Sequence, residues 1–267
     1  MDFELIKLDI DSQIATLSFN DPDNLNAITQ TMLDSLDLAL DHVEDPDNNI
    51  RCLILTGAGR GFCAGANMAR DPGEEDGAAS NRLADPGAGL EKFYHPLLRR
   101  LRNLHCPIVS AVNGPCAGIG MSFALMGDMV LAGKSAFFLQ AFRRIGLVPD
   151  GGATFLLPRL VGMARAKELT LMGERLSADD ALEWGLINRV FDDGELLGEA
   201  RTLAGELAKG PMSLGMIRNL LWESVDSSYE EQLNNERWAQ REAGRTKDFV
   251  EGVRAFNEKR DANFSGK

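Results

Sequence analysis

Arg51-Cys52-Leu53-Ile54-Leu55-Thr56 runs directly into Gly57-Ala58-Gly59-Arg60-Gly61 and then Phe62-Cys63-Ala64-Gly65-Ala66-Asn67-Met68. The first six residues are nearly all apolar and end at glycine, the pattern of a buried strand. Such a strand delivers a loop of small residues to the edge of a sheet. Small side chains between Cys63 and Asn67 leave backbone N–H groups uncovered, where a ligand oxygen could reach them. They equally suit a tight loop required by packing alone, and this stretch by itself supports both readings.

Residues 107–112 repeat the pattern and run into Asn113-Gly114-Pro115-Cys116-Ala117-Gly118-Ile119-Gly120. An apolar run at 121–126 then predicts a short helix, whose first N–H groups have no internal partner and carry the positive end of the dipole. Two strands thus end in two glycine-bearing loops. A pair of convergent N–H groups can hold a developing oxyanion; the alternative is two crowded crossings that need glycine. Neither loop has the phosphate-loop pattern G-x-x-x-x-G-K-[ST], and residues 57–61 lack the spacing of a dinucleotide fingerprint.

The flanking chain predicts alternating strands and helices. Residues 3–10 and 13–19 alternate polar and apolar around Asp11-Ser12, a hairpin signature. Thr29 is a candidate N-cap for a helix with Met32, Leu33, Leu36, Leu40 and Val43 on one face, ended by Asp45-Pro46-Asp47. Strand, helix, strand in that order implies parallel pairing. Residues 69–89 are turn-rich and acidic, predicting an exposed, partly mobile segment that could cover a substrate. Helical periodicity returns at Phe93, Tyr94, Leu97, Leu98 and Leu101, a strand is expected at 129–131, and helices at 153–157, 164–171, 178–183, 196–208, 213–221, 229–243 and 246–259.

The 267 residues are 44% apolar and suffice for a large core. A net charge of -12 argues against nucleic acid or an anionic membrane as partner. Cys52, Cys63, Cys106 and Cys116 form no C-x-x-C, and no His stands at metal-ligand spacing from them, so they read as reduced thiols of a cytoplasmic protein with no metal. The start, Met1-Asp2-Phe3-Glu4, shows no positive region before an apolar run, and no run approaches a membrane span.

Three motifs in order carry a resemblance: Phe62-Cys63-Ala64-Gly65-Ala66-Asn67-Met68; Ala111-Val112-Asn113-Gly114 with Ala117-Gly118-Ile119-Gly120; and Ile145-Gly146-Leu147-Val148-Pro149-Asp150-Gly151-Gly152. Together with Glu251-Gly252-Val253 and Ala255-Phe256 near the end, they resemble the crotonase, or enoyl-CoA hydratase/isomerase, superfamily over nearly the whole chain. The resemblance implies an α/β crotonase (ClpP-like) fold, a spiral of ββα repeats in residues 1–195, with a C-terminal helical region at 196–267 that packs trimers or dimers of trimers. It implies an acyl-CoA substrate, with coenzyme A as part of the substrate and no permanently bound cofactor.

On the same resemblance the N–H groups of Ala66 and Ile119 would grip the thioester oxygen. Hydratases of the family look for glutamates at the positions matching Ser122 and Phe142. Ser122 is no general base unaided and Phe142 carries no proton, which disfavours addition of water. Asp150 remains. It is either the N-cap of a following helix or, as in members that shift a double bond or rearrange the ring-epoxide of phenylacetyl-CoA catabolism, the proton carrier. Hydration or hydrolysis through another carboxylate, such as Glu91 or Asp71, and non-catalytic acyl-CoA binding are the rival readings. Asn24, Leu25 and Asn26 resemble residues that wrap the pantetheine and adenine, though an Asx turn explains them equally. Ala64, Asn67, Met68 and Phe142 would line the groove, and Phe256 and Lys259 resemble positions that reach a neighbouring subunit's ligand.

Overall fold

The computed structural model describes residues 1–68 and 85–267. Most of the acidic segment at 69–89, including Asp71, lies outside the described residues; at its end Asp85 caps a short helix, Pro86–Gly89, by accepting from the N–H groups of Gly87 and Ala88.

Strands Asp2–Phe3 (β1), Ile6–Asp11 (β2) and Ile14–Phe19 (β3) form an antiparallel meander, with Ser12 in the left-handed region at the hairpin tip. Helix Gln30–Glu44 (α1) begins at Thr29, whose hydroxyl accepts from Met32 N–H, and buries Met32, Leu33, Leu36, Leu40 and Val43 as the spacing predicts. It returns the chain to Cys52–Gly57 (β4), parallel to β3. After a π-type turn at Leu90–Tyr94, helix His95–Arg102 (α2) leads to Ile108–Val112 (β5), again parallel.

From β5 the chain passes through the short strand Pro115–Ala117 (β6) into helix Ile119–Ala124 (α3), then Met129–Gly133 (β7), Phe137–Leu139 (β8) and helix Ala153–Met172 (α4). Arg175–Ser177 (β9), Ala178–Glu183 (α5) and Arg189–Phe191 (β10) complete two sheets. The large sheet runs β1-β2-β3-β4-β5-β7-β10 and the small one β6-β8-β9. The strand–strand–helix units therefore repeat: β5, β6, α3 and then β7, β8, α4. In the unit opened by β4 the second strand shrinks to isolated bridges, Cys63 to Cys116 and Ala66 to Ile28. The α/β crotonase spiral and the C-terminal helical region are both present.

One expectation changes: helix α3 starts at Ile119 rather than 121. The helices expected at 153–157 and 164–171 are both present, α4 being two helical segments that meet at Gly162, whose φ of +78° and ψ of 161° are non-helical. β6, β8, β9 and β10, of three residues each, were too short for periodicity to reveal.

Both faces of the large sheet are covered. On one lies the main core, with Leu53, Leu55, Phe62, Ile108 and Val112 against α1 and α2. On the other, Leu196–Ala208 (α6) sets Leu196, Ala200, Ala204 and Ala208 against Cys52, Ile54, Val109, Ala111 and Leu131. Beyond α6 come Ser213–Ser224 (α7), Tyr229–Ala243 (α8) and Lys247–Glu258 (α9). Asp248 in α9 draws the chain's last residues back, accepting from the N–H groups of Met212, Ser265 and Gly266. Among the described residues no helix is long and apolar enough to cross a membrane.

Candidate active site

The two glycine-bearing loops meet. Phe62 and Cys63 N–H both donate to Pro115 C=O at 3.1 and 3.0 Å, and Ala117 N–H returns a bond to Cys63 C=O at 2.9 Å. A Cβ on Gly120 would sit 2.6 Å from the Cys63 carbonyl oxygen, and one on Gly118 3.9 Å from Gly65 Cα. Crowded crossings thus account for part of the glycine pattern, and the same crossings bring Ala66 and Ile119, each one residue past an abutting glycine, to one edge.

Their amides are unspent for reasons of local geometry. Residues 65 and 67 use their inward groups on Ile28, through Ile28 N–H to Gly65 C=O and Asn67 N–H to Ile28 C=O, both 2.8 Å. The strand alternation then turns the Ala66 N–H the other way. Gly118 donates to Leu139 C=O at 2.9 Å, whereas Ile119 is the first residue of α3 and has no carbonyl one turn back. Among the described residues neither amide has an acceptor.

Asp150 is the third component. Helix α4 is capped at Gly152, at φ +83°, with no side-chain cap; the Asp150 carbonyl accepts from Ala153 N–H at 3.0 Å, and its carboxyl does not cap. The N-cap reading of Asp150 is therefore not realised. The half-buried carboxyl keeps one buried oxygen, Oδ1, with no hydrogen-bond partner among the described residues, and burial pushes its pKa up to about 6, opposed by its own backbone N–H. A carboxyl in this setting can take up and release a proton near pH 6. The turn rests on α3: a Cβ on Gly151, at φ +59°, would lie 2.3 Å from Ile119 Cδ1.

Of the other expected residues, Ala64 and Met68 are exposed beside Ala66 and Asn67 is half-buried. Phe142 is buried, and its ring tip lies 3.7 Å from where a Gly118 Cβ would stand, closing the inner side of the loop. Leu25 is half-buried at φ +52°, and its carbonyl accepts from Ala64 N–H at 3.0 Å. Asn24 binds the Asp21 carboxylate in a local turn. Glu91 is exposed on the turn before α2. Phe256 and Lys259 sit apart from these loops at the end of α9, both exposed.

Two asparagines take supporting roles that the sequence reading did not assign, and Asn26, expected to wrap the ligand, is buried instead. Asn26, fully buried, donates from Nδ2 to Ala58 C=O and Gly61 C=O and accepts from Asp21 N–H, locking residues 21–26 to the loop after β4. Asn113 donates to Gly57 C=O and Gly59 C=O. An asparagine within a turn-rich run carries no mark that separates a clamp from a turn former.

The sequence model of the enoyl-CoA hydratase/isomerase family matches residues 9–267. The chain belongs to the enoyl-CoA hydratase/isomerase family. Among members of that family it is similar to the 1,2-epoxyphenylacetyl-CoA isomerase of Escherichia coli (strain K12), 45% identical over 265 residues and 99% of each chain. It is also similar to a probable enoyl-CoA hydratase of Rhodobacter capsulatus, 36% identical over 268 residues and 100% of each. The crystal structure of an enoyl-CoA hydratase from Bacillus anthracis matches with a TM-score of 0.88 and 28% identity, covering 99% of this chain and 100% of that one. Among the described residues of this family member no group of three His, Cys, Asp or Glu side chains is placed to hold a metal, and all four cysteines are free and buried.

Proposed function

We propose that this protein is an acyl-CoA isomerase in which the N–H groups of Ala66 and Ile119 hold the thioester oxygen and Asp150 moves a proton between two carbons of the acyl chain. The Asp150 carboxylate takes a proton from the carbon beside the thioester. The C–H electron pair passes into the carbonyl, leaving an enolate oxygen between the two amides, where each well-placed donor is worth about 10²–10³ in rate. On an unsaturated chain the enolate is delocalised; the protonated Asp150 returns its proton to the far carbon and the double bond shifts. No water and no oxidant enter. Rearrangement of a ring-epoxide thioester to an oxepin is also redox-neutral and fits the same site.

The single observation that carries this reading is the Asp150 carboxyl, whose buried Oδ1 has no hydrogen-bond partner among the described residues. Hydration by a carboxylate pair is disfavoured: Ser122 gives its hydroxyl to the Asp150 carbonyl at 3.0 Å, and Phe142 is packed against Gly118. The test is deuterium uptake from heavy water into an enoyl-CoA. Uptake at the carbon atoms flanking the shifting bond, abolished by Asp150→Asn, is expected; full turnover in that variant would sink the assignment, and a hydroxyacyl product would favour the hydratase reading.

The exposed apolar residues of α9, Phe249, Val250, Val253 and Phe256 at 54, 65, 46 and 83%, support a homotrimer or dimer of trimers built through residues 196–267, with Phe256 and Lys259 turned to a neighbour's ligand. Light scattering reads the mass directly, and a monomer at micromolar concentration would rule this assembly out.

A further inference from the structure

We infer that Ser122 is a positioning residue, fixing the turn that carries Asp150 to the helix that supplies the Ile119 amide. This rests on the isomerase reading above and assigns a task to the position where hydratases of the family would be expected to carry a glutamate.

Ile119 and Ser122 stand three residues apart on α3, so both side chains lie on one face of it. The Ser122 hydroxyl donates to the Asp150 carbonyl oxygen at 3.0 Å. That same carbonyl accepts from Ala153 N–H at 3.0 Å, so one oxygen joins α3, the Asp150 turn and the start of α4. Gly151 seals the joint: a Cβ there would lie 2.7 Å from Ser122 Cβ and 2.3 Å from Ile119 Cδ1. Ser122 itself is 0% exposed. A hydroxyl that only needed a partner could take a carbonyl of its own helix one turn back, as Thr170 does from Ala166. Ser122 reaches across to another element instead.

The functional consequence follows from the shape of the reaction. Proton transfer requires the base and the oxyanion donor to be held at a fixed separation, and a displacement of about 1 Å can cost 10²-fold. In this chain the Ser122 hydroxyl and the packing of Gly151 against Ile119 and Ser122 tie the Asp150 turn to the helix that carries that donor. The Asp150 carboxyl has burial and its own backbone N–H acting on it, so its titration reports how closely the turn stays seated.

The decisive variant is Ser122→Ala in the full-length chain, which deletes the hydroxyl with little change in volume. Expected is a fall in kcat of about tenfold with KM within twofold. The acid limb of the kcat/KM profile should also move down toward the ordinary carboxylate range as water reaches Asp150. Ser122→Thr, which keeps the donor, should regain most of the loss. Wild-type kcat, or a lowered kcat with the acid limb unmoved, overturns the inference. If Ser122→Ala does not fold, Ser122→Cys, of similar size and a weak donor, is read by the same criteria. Asp150→Asn is measured beside it: full turnover there fails the isomerase reading itself, whereas an inactive Asp150→Asn with an unaffected Ser122→Ala fails only the positioning role.

Discussion

Arg218 Nε donates to Asp128 Oδ2 at 2.7 Å, and the same guanidinium donates to the carbonyls of Leu101, Arg102 and Leu104 beneath it. Asp128 in turn accepts from Ile108 N–H at the start of β5. Arg218 is 4% exposed, and each of its three nitrogens donates, Nε to Asp128 and the other two to the end of α2 and the loop before β5. The pair fastens α7, and with it the C-terminal helices, to the sheet. Removing one partner of a buried pair strands the other charge. Arg218→Ala is therefore expected to cost about 3–5 kcal/mol, read by urea unfolding, and a loss under about 1 kcal/mol would contradict this account.

Asp150→Asn separates chemistry from stability. Turnover should fall about 10²–10⁴-fold. The folded carboxyl titrates near 6 against an ordinary 3.8, so the acid form is the one the fold favours. Its stabilising contribution is complete below the ordinary value and is lost as pH rises from about 4 to about 6; above that, the ionised group costs folding free energy. Asparagine carries no such penalty. The variant should be more stable by about 1–2 kcal/mol at pH 8, discounted for the solvent that reaches a half-buried group, and no more stable at pH 4. Thermal melts at the two pH values check the sign.

The same titration sets a kinetic profile. In the proposed reaction Asp150 starts as the base and must be ionised, so kcat/KM for a double-bond shift should rise through an apparent pKa near 6. A rate flat between pH 5 and 8 would point to another proton acceptor.

Asn26 combines a backbone role with a side-chain role, and two substitutions divide them. It sits at φ +57° and makes three hydrogen bonds through its amide. Asn26→Gly keeps the left-handed backbone and loses the bonds; Asn26→Ala also strains the backbone, by about 1–2 kcal/mol more. Both should raise KM, because the Leu25 carbonyl that holds Ala64 N–H is carried by the same turn. An unchanged KM in both would show that the clamp does not reach the substrate groove.

Gly151→Ala places a methyl 2.3 Å from Ile119 Cδ1 at a backbone φ of +59°. Activity should drop by at least tenfold, and Ile119→Val, which removes that methyl, should recover part of the steric loss but none of the strain. A double-mutant cycle with no coupling would exclude this contact as the cause.

The large elements were legible because their signals are long. The face of α1, the apolar runs of β4 and β5 and the turn at Asp11-Ser12 each rest on several residues in register with one period. The two loops were legible as loops, and the resemblance singled out which amides in them to watch. What stayed hidden depends on contact between distant residues. Nothing local to Ser122 marks it as bonded to Asp150, and Arg218 looks like one more surface arginine on a helix. Asp248 reads as a helix-start acid although it binds the chain's last residues. Arg260 carries no local mark of its pairing with Glu251 and Glu258. The N-cap reading of Asp150 failed because Gly151 and Gly152, both at positive φ, turn the chain before α4 begins.

Both donors proposed to face the thioester oxygen belong to the main chain, at Ala66 and Ile119, and no codon change can delete an amide short of proline. A saturation scan across 63–66 and 117–120 would consequently report crowding while leaving the hydrogens in place. Heritable diversification of this scaffold is channelled into the residues around the pair, at 122, 142 and 150, and to excise a donor itself the chemist needs an amide-to-ester exchange made by ligation.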